Sequence, residues 1–408
     1  MAARRETQTN QEVTVGAVIA GGVPRPMRLP MRVYPMLALA ICAVACGDSA
    51  IPVKARCPTA DPSACAGPAL PSTARCPGAG PITVATGNSP NSYPMAITTY
   101  GADVYWTDMN SGDFATDLTQ GTVMRAPACG GSAVTLASGQ ALPIAIAADA
   151  SGVYWLNEGD GSLSLGKMID VISLPAGAST PVLLSSVPNR FPDGFAIDAT
   201  DVYWTDFDDG SFDAEHPNGA SRVMRVSKTG RAAVTVASVE GIAQNVTVDA
   251  SNIYWVIASV TTSIAMLPKE GGAISTLVSD AGSAFGSFAM TANNFYFADG
   301  ISGDGVAGLP NTGGVKKELA MAGVASLAAD DAGVYWVDVA NTDPVTIRGI
   351  PSTGGSAMTL ASDKVRGSRA FGQSIAVGQS EVYWTTGVGR TAAVMAIAAP
   401  WTPPNSPE

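Results

Sequence analysis

The sequence is poor in charge and almost devoid of histidine. Lys, Arg, Asp and Glu together make up 14% of its 408 residues, and His216 is the only imidazole. That scarcity argues against most general-base and zinc chemistries, and the polar context of His216, "AEHPNG", fits an exposed loop better than a catalytic triad. Basic residues are also few, 23 Lys and Arg against 34 Asp and Glu, for a net charge of −11. Nucleic acids and anionic lipid surfaces select basic patches, so neither is expected as a partner. No Gly-x-Ser-x-Gly elbow and no phosphate-cradling loop occurs in the right context. Long apolar runs are missing too: Met36 to Ala45 is too short to span a bilayer, which takes roughly 20 residues.

What the chain has instead is glycine (44), proline (28) and 46% apolar residues. Many turns, abundant Val, Thr and Ser, and few helix-supporting Glu/Lys pairs favour short strands. The length allows several domains or one large all-β domain.

The N-terminus reads as an address. Arg28 and Arg32 flank the apolar run in "MRVYPMLALAICAVAC", and small residues lead to Cys46. The "AVAC" end resembles the lipobox of bacterial lipoproteins, with Ala43 where that family more often has Leu. The resemblance implies cleavage before Cys46, lipidation of Cys46, and anchoring in a bacterial cell envelope, at the outer membrane or cell surface. The membrane is then touched only through the lipid. Residues 1–26 carry no signal features, so translation is expected to start at Met27 or Met31. We assign residues 1–45 to this leader and 46–80, rich in Pro, Ala, Ser and Cys, to a tether. Export places Cys57, Cys65, Cys76 and Cys129 in an oxidising compartment, where two disulfides have three possible connectivities.

From residue 81 a ruler is laid along the chain. The tyrosine of "DVYWTD" (103–108) recurs at Tyr105, Tyr154, Tyr203, Tyr254, Tyr296, Tyr335 and Tyr383, at intervals of 49, 49, 51, 42, 39 and 48 residues. Six of the seven tryptophans directly follow those tyrosines, and the fifth copy reads "FYF". Spacing of this kind marks propellers and other repeat arrays. A short apolar segment precedes each motif, as in "GFAIDATD" (194–201) and "NVTVDASN" (245–252). A third segment ends in a turn such as "CGG" (129–131) or "EGG" (270–272), and a fourth, such as "AVTLASGQ" (133–140), closes the unit. Four strands and a link describe one blade of a β-propeller. Three bulky residues in a row, Val-Tyr-Trp, suit a strand covered on both faces, with the rings filling seams between blades. The seventh unit lacks a fourth strand, while "PITVATGNSP" (81–90) has no first three strands before it. We therefore expect residues 82–87 to complete the last blade, giving an all-β, seven-bladed propeller of four-stranded blades over residues 81–400 and a polar tail at 401–408. In that ring Cys76 and Cys129 share a face in adjacent blades, which favours the pairing Cys76–Cys129 with Cys57–Cys65.

Tyr105-Trp106-Thr107-Asp108 and Tyr203-Trp204-Thr205-Asp206, with looser copies "YWLN", "YWVD" and "YWTT", resemble the YWTD repeats of low-density-lipoprotein receptor propellers over roughly residues 81–400. The resemblance implies that the motif is framework and that a protein ligand binds on a loop face. Receptor propellers have six blades, however, and seven are counted here.

Loops between second and third strands of the first three units are acidic: Asp108, Asp113 and Asp117; Glu158 and Asp160; then Asp206, Asp208, Asp209, Asp213 and Glu215. Carboxylates on one rim suit Ca2+, which takes about six to eight oxygen ligands, and Asp206, Asp208, Asp209 and Asp213 are the weak candidates. The stretch "DFDDGSFDAE" lacks EF-hand spacing and also reads as a solvated loop. Lys364, Arg366, Arg369 and Arg390 form a small basic arc opposite. The expected function is a monomeric, non-catalytic binding or scaffold module for a protein or glycan, without a cofactor. The alternative is a Ca-dependent, lactonase-like hydrolase working from the acidic rim.

Overall fold

The computed structural model describes residues 76, 80–87, 89–110, 119–159, 168–188, 190–208, 220–259, 261–281, 287–299, 305–339, 345–363 and 374–401. Two units divide the chain, 1–67 and 68–408; the first, with the leader, Cys46, Cys57 and Cys65, lies outside the described residues.

Strands between Ile82 and Ala398 form seven four-stranded antiparallel sheets. Blades 1 to 6 take their four strands in sequence order, over 94–140, 143–188, 190–240, 242–281, 288–321 and 324–363. Blade 7 is composite: Ile375–Val377, Glu381–Thr386 and Ala393–Ala398 are completed by Ile82–Thr86 from the start of the domain. Ile82 pairs with Ala396 and Thr86 with Ala393. The expected seven-bladed ring, closed by an N-terminal strand, is the observed fold.

The motif explains why the blades stack. Alternation along a strand sends Tyr and Trp to opposite faces of the same blade. Each seam then receives the Tyr of one blade and the Trp or Phe of the next. Tyr105 clusters with Trp155, Tyr154 with Trp204, Tyr203 with Trp255, and Tyr254 with Phe297. Tyr296 clusters with Trp336, Tyr335 with Trp384, and Tyr383 with Trp106, which closes the circle. Trp155, Trp204, Trp255 and Trp336 are fully buried. Trp401, assigned from sequence to the tail, lies with its ring 5.7 Å from that of Tyr335, tilted by 32°, and fills the space over Gly333 and Gly349.

Hairpins between third and fourth strands of blades 1, 4, 5 and 6 turn on Gly-Gly pairs. Gly130 and Gly131 hold φ of 88° and 147°, values that Gly adopts without a steric penalty. The same turn carries Cys129, whose disulfide to Cys76 ties the segment before the closing strand of blade 7 to blade 1. The Cys76 N–H also donates to Glu381 Oε1 at 2.8 Å.

Candidate functional site

The third and fourth residues of the motif are framework. Thr107, Thr205 and Thr385 accept, through Oγ1, the N–H of Ala96, Gly194 and Ser374 at 3.1, 2.8 and 3.0 Å. Those acceptors satisfy backbone donors where the inner strands of blades 1 and 3 bulge. The fourth position places a buried carboxylate at the same end of its strand. Asp206 receives Arg222 Nε at 2.9 Å and NH2 at 3.0 Å, Asp338 receives Arg348 at 3.1 Å, and Asp299 receives Lys316. Asp108 has hydroxyl and backbone donors instead: Ser92 Oγ, the Tyr93 N–H at 2.6 Å and the Asn110 N–H at 2.9 Å. Burial raises its carboxyl pKa despite these three bonds.

The other predicted rim residues divide as follows. Asp208 ends the second strand of blade 3, and its side chain lies outside the described residues, as do Asp209, Asp213, Asp113, Asp117, Asp160, Glu215 and His216. Glu158 is partly exposed, and its N–H donates to Leu142 O at 2.9 Å. Of the basic arc, Arg390 is exposed in a short 3-10 turn, and Lys364, Arg366 and Arg369 lie outside the described residues. Among the described residues no three His, Cys, Asp or Glu side chains group closely enough to hold a metal ion.

On the opposite face, two seams carry a repeated ionic latch. Lys228 of blade 3 reaches Asp149 of blade 2, and Lys269 of blade 4 reaches Asp198 of blade 3 at 2.6 Å. Each ammonium also lies over the tyrosine that precedes it in the ring, 4.6 Å from Tyr154 and 5.5 Å from Tyr203. Asp198 accepts the Thr200 and Asp201 N–H groups, each at 2.8 Å, and the Tyr203 hydroxyl at 2.8 Å. Burial alone would raise its pKa; Lys269 and these donors outweigh it and hold the carboxyl well below the usual range. Tyr203 is pushed far up by burial and by Asp198, and Tyr254 to about 12 by burial and then Asp249. Beside the blade 3–4 latch opens a recess of about 690 Å3, lined by Asp201, Arg225, Ala250 and Glu270 among others.

The axis of the ring is a second opening. A channel of about 300 Å3 is lined by inner-strand residues of all seven blades. Ile97, Ile146, Leu327 and Ile375 border it from buried positions in the blade seams, and Asn245, Ser326 and Ser374 contribute polar groups. Asp193 is its one carboxylate among the described lining residues, accepting the Asn245 N–H at 3.1 Å across the blade 3–4 seam and Gln244 Nε2 at 3.5 Å. Burial pushes the Asp193 carboxyl up against those two bonds. Sequence reasoning missed this residue. The signal was present: where unit 3 has Asp193, the strand register puts Met95, Ile144, Gln244 and Ala325 in units 1, 2, 4 and 6.

No family model and no curated protein matches the chain. Solved structures do. The oligogalacturonate lyase of Vibrio parahaemolyticus is 13% identical with a TM-score of 0.55, covering 78% of this chain and 91% of that one. An oligogalacturonate lyase in complex with manganese is 12% identical with a TM-score of 0.56, covering 78% and 96%. The propeller domain of the Trilobed protease from Pyrococcus furiosus, with an open velcro topology, is 10% identical with a TM-score of 0.52, covering 78% and 100%. What is shared is the fold. Enzyme-related propellers are thus among the matches, and at these identities neither their activities nor the manganese transfers to this chain.

Proposed function

We propose that the protein is an exported propeller, lipid-anchored at Cys46 in a bacterial envelope, that binds a protein or glycan partner on a loop face without catalysing a reaction. The observation that carries this reading is the recess at the blade 3–4 seam. It is large enough for a sugar or a short peptide segment, and its strand ends and turns offer both charge signs. The likeness of the Tyr-Trp-Thr-Asp units to receptor propellers, whose loop faces bind proteins, supports the same reading. The calcium-dependent hydrolase reading has less support. Asp206, its best-placed carboxylate, is already gripped by Arg222, Asp108 is taken up by Ser92, Tyr93 and Asn110, and the candidates Asp209 and Asp213 and the side chain of Asp208 lie outside the described residues.

Glycan and peptide arrays probed with the full chain test the proposal. Ala250→Arg combined with Glu270→Lys alters two exposed recess residues, and is expected to abolish array binding while leaving the melting midpoint unchanged. Binding that survives the double substitution overturns the recess as the site. Labelling of cells with a fatty-acid probe is expected for wild type and not for Cys46→Ala; equal labelling overturns the anchor.

A further inference from the structure

One backbone hydrogen bond fixes an equivalent position just after the third strand of successive blades. The N–H groups of Lys228, Lys269 and Asn311 donate to Thr200 O, Ser251 O and Asn293 O, at 2.8, 2.8 and 2.9 Å. Each acceptor lies in the hairpin between first and second strands of the same blade. From this position Lys228 and Lys269 reach the aspartate of the preceding blade, Asp149 and Asp198.

Blade 4 presents that aspartate again. Asp249 Oδ1 accepts the Ser251 and Asn252 N–H groups, both at 2.7 Å, and Oδ2 accepts the Tyr254 hydroxyl at 2.7 Å. Asp198 is bonded in the same way by Thr200, Asp201 and Tyr203, and takes Lys269 on Oδ2 besides. Burial pulls the Asp249 carboxyl up, but its donors outweigh that pull and hold it below its ordinary value, so it is ionised at neutral pH. No Lys or Arg among the described residues pairs with it.

The difference lies in Asn311, which has the lysine position of blade 5. Its side chain is shorter, and its Nδ2 donates to Thr291 O at 2.9 Å within its own blade. Its Oδ1 is buried and has no donor. The seam between blades 4 and 5 thus carries acceptors and no cation, and an ammonium, with three donors and no acceptor, is the group that suits it. Tyr254 meets Phe295 edge to face at 4.9 Å, so it offers its hydroxyl rather than an open ring face. Asp330 also lacks a cation, but its seam is filled otherwise: Ala399 has the lysine position, and the Trp401 ring lies against Tyr335. Asp249, unlike Asp330, borders the recess between blades 3 and 4, where it joins Asp198, Asp201 and Glu270 against Arg225 and Lys269.

We infer that Asp249 is the seat for a lysine side chain of the protein partner, whose ammonium supplies from outside what Lys269 supplies to Asp198 from within. This rests on the recess as the docking site, and it narrows the partner to a protein with an exposed lysine.

A peptide array probed with the full chain tests it, with each lysine peptide printed beside its Nε-acetyl-lysine copy. Acetylation removes the charge and is expected to weaken capture about tenfold or more. Asp249→Asn is expected to capture both copies alike. Asn311→Lys places an ammonium at the seat from the chain itself. It is expected to erase the lysine preference and to raise the melting midpoint by about 1–2 °C, and it keeps the test open should Asp249→Asn not fold. Equal capture of the two copies by wild type, an unchanged preference in Asp249→Asn, or an Asn311→Lys midpoint no higher than wild type overturns the seat and leaves the recess standing. Capture of glycans alone does the same, whereas no binding to peptides or glycans overturns recess and seat together.

Discussion

Arg222 holds Asp206 on both carboxylate oxygens, at 2.9 and 3.0 Å, across the middle strands of blade 3. The aspartate that gives the Tyr-Trp-Thr-Asp motif its last letter is therefore one half of a cross-strand fork. Asp338 and Asp299 are likewise paired with a cation, Arg348 and Lys316. At Asp108, where no cation pairs among the described residues, local hydroxyl and backbone donors take its place. The letter persists because a buried strand end needs an acceptor, and several donors serve it.

Replacing Asp206 by Ala leaves a guanidinium with its main partner removed. Breaking a buried pair costs about 3–5 kcal/mol; the 28% exposure of the Arg222 side chain places this case at the lower end. Urea unfolding of Asp206→Ala should show that loss, and chelator added to wild type should not reproduce it. A chelator effect matching the substitution would restore Asp206 as a metal ligand.

The disulfide makes a separate prediction. Cys76 and Cys129 are 53 residues apart and clamp the strand that closes the ring. A loop of that length constrains the unfolded chain by about 4 kcal/mol in the chain-entropy estimate. The Cys76→Ala, Cys129→Ala variant should remain folded, since Ile82–Thr86 still pairs with Ala393–Ala398, but with a lower midpoint that no longer responds to reductant. Identical midpoints with and without the bond would show that closure does not depend on it.

The ionic latch between blades 3 and 4 should appear in the pH dependence of stability. The Asp198 carboxyl is held below its ordinary value by Lys269 and the turn donors, against the upward pull of burial. A carboxyl depressed in the folded state contributes stability above its unfolded pKa of about 3.9, and that contribution drains away as pH falls through the folded value. Asp198→Asn should be less stable than wild type by about 1–3 kcal/mol at pH 7, with the gap closing below about pH 4. Parallel urea midpoints down to the lowest accessible pH would sink the latch as a stabilising element.

Much of the ring was legible because its devices repeat. Tyr203 and Trp204 carry the period, and Gly271 and Gly272 the turns; the orphan segment at 82–87 identifies the closure, observed as the strand Ile82–Thr86. The assignment of aromatics to seams followed from three bulky residues in succession, and the clusters pair each Tyr with the aromatic of the next blade. The candidate sites were not legible, for a physical reason. Asp206 and Asp193 look alike as letters, and what separates them is a partner: Arg222 lies across a strand, whereas nothing cationic among the described residues faces Asp193. The Lys228 and Lys269 latches likewise join residues 79 and 71 positions apart, whose approach depends on ring geometry rather than local pattern.

Seam sharing can be tested by non-additivity. Tyr296 and Trp336 lie in one cluster and Trp204 in another. Tyr296→Leu and Trp336→Leu should each cost about 2 kcal/mol or more, and their double variant should depart from additivity by about 0.5–3 kcal/mol. Trp336→Leu with Trp204→Leu should add within about 0.5 kcal/mol. Additivity in both pairs would mean that the rings do not share a packing unit.

Two glycines separate close packing from backbone freedom. Gly101 has φ of 62° with nothing near a prospective Cβ, so Gly101→Ala meets only the left-handed penalty of about 1–2 kcal/mol. Gly194 has no such φ, yet its Cβ would stand 2.1 Å from Val246 N and 2.8 Å from Asn245 N, both backbone atoms of the neighbouring blade. Because backbone cannot rotate aside as a side chain can, Gly194→Ala should shift blade 3 against blade 4 and cost about 3 kcal/mol or more, beyond the usual range for single substitutions. It should also disturb the Asp193–Asn245 contact beside it. Urea midpoints rank the two variants, and a Gly194→Ala protein as stable as Gly101→Ala would mean that the inner strands stand further apart than 2.1 Å implies.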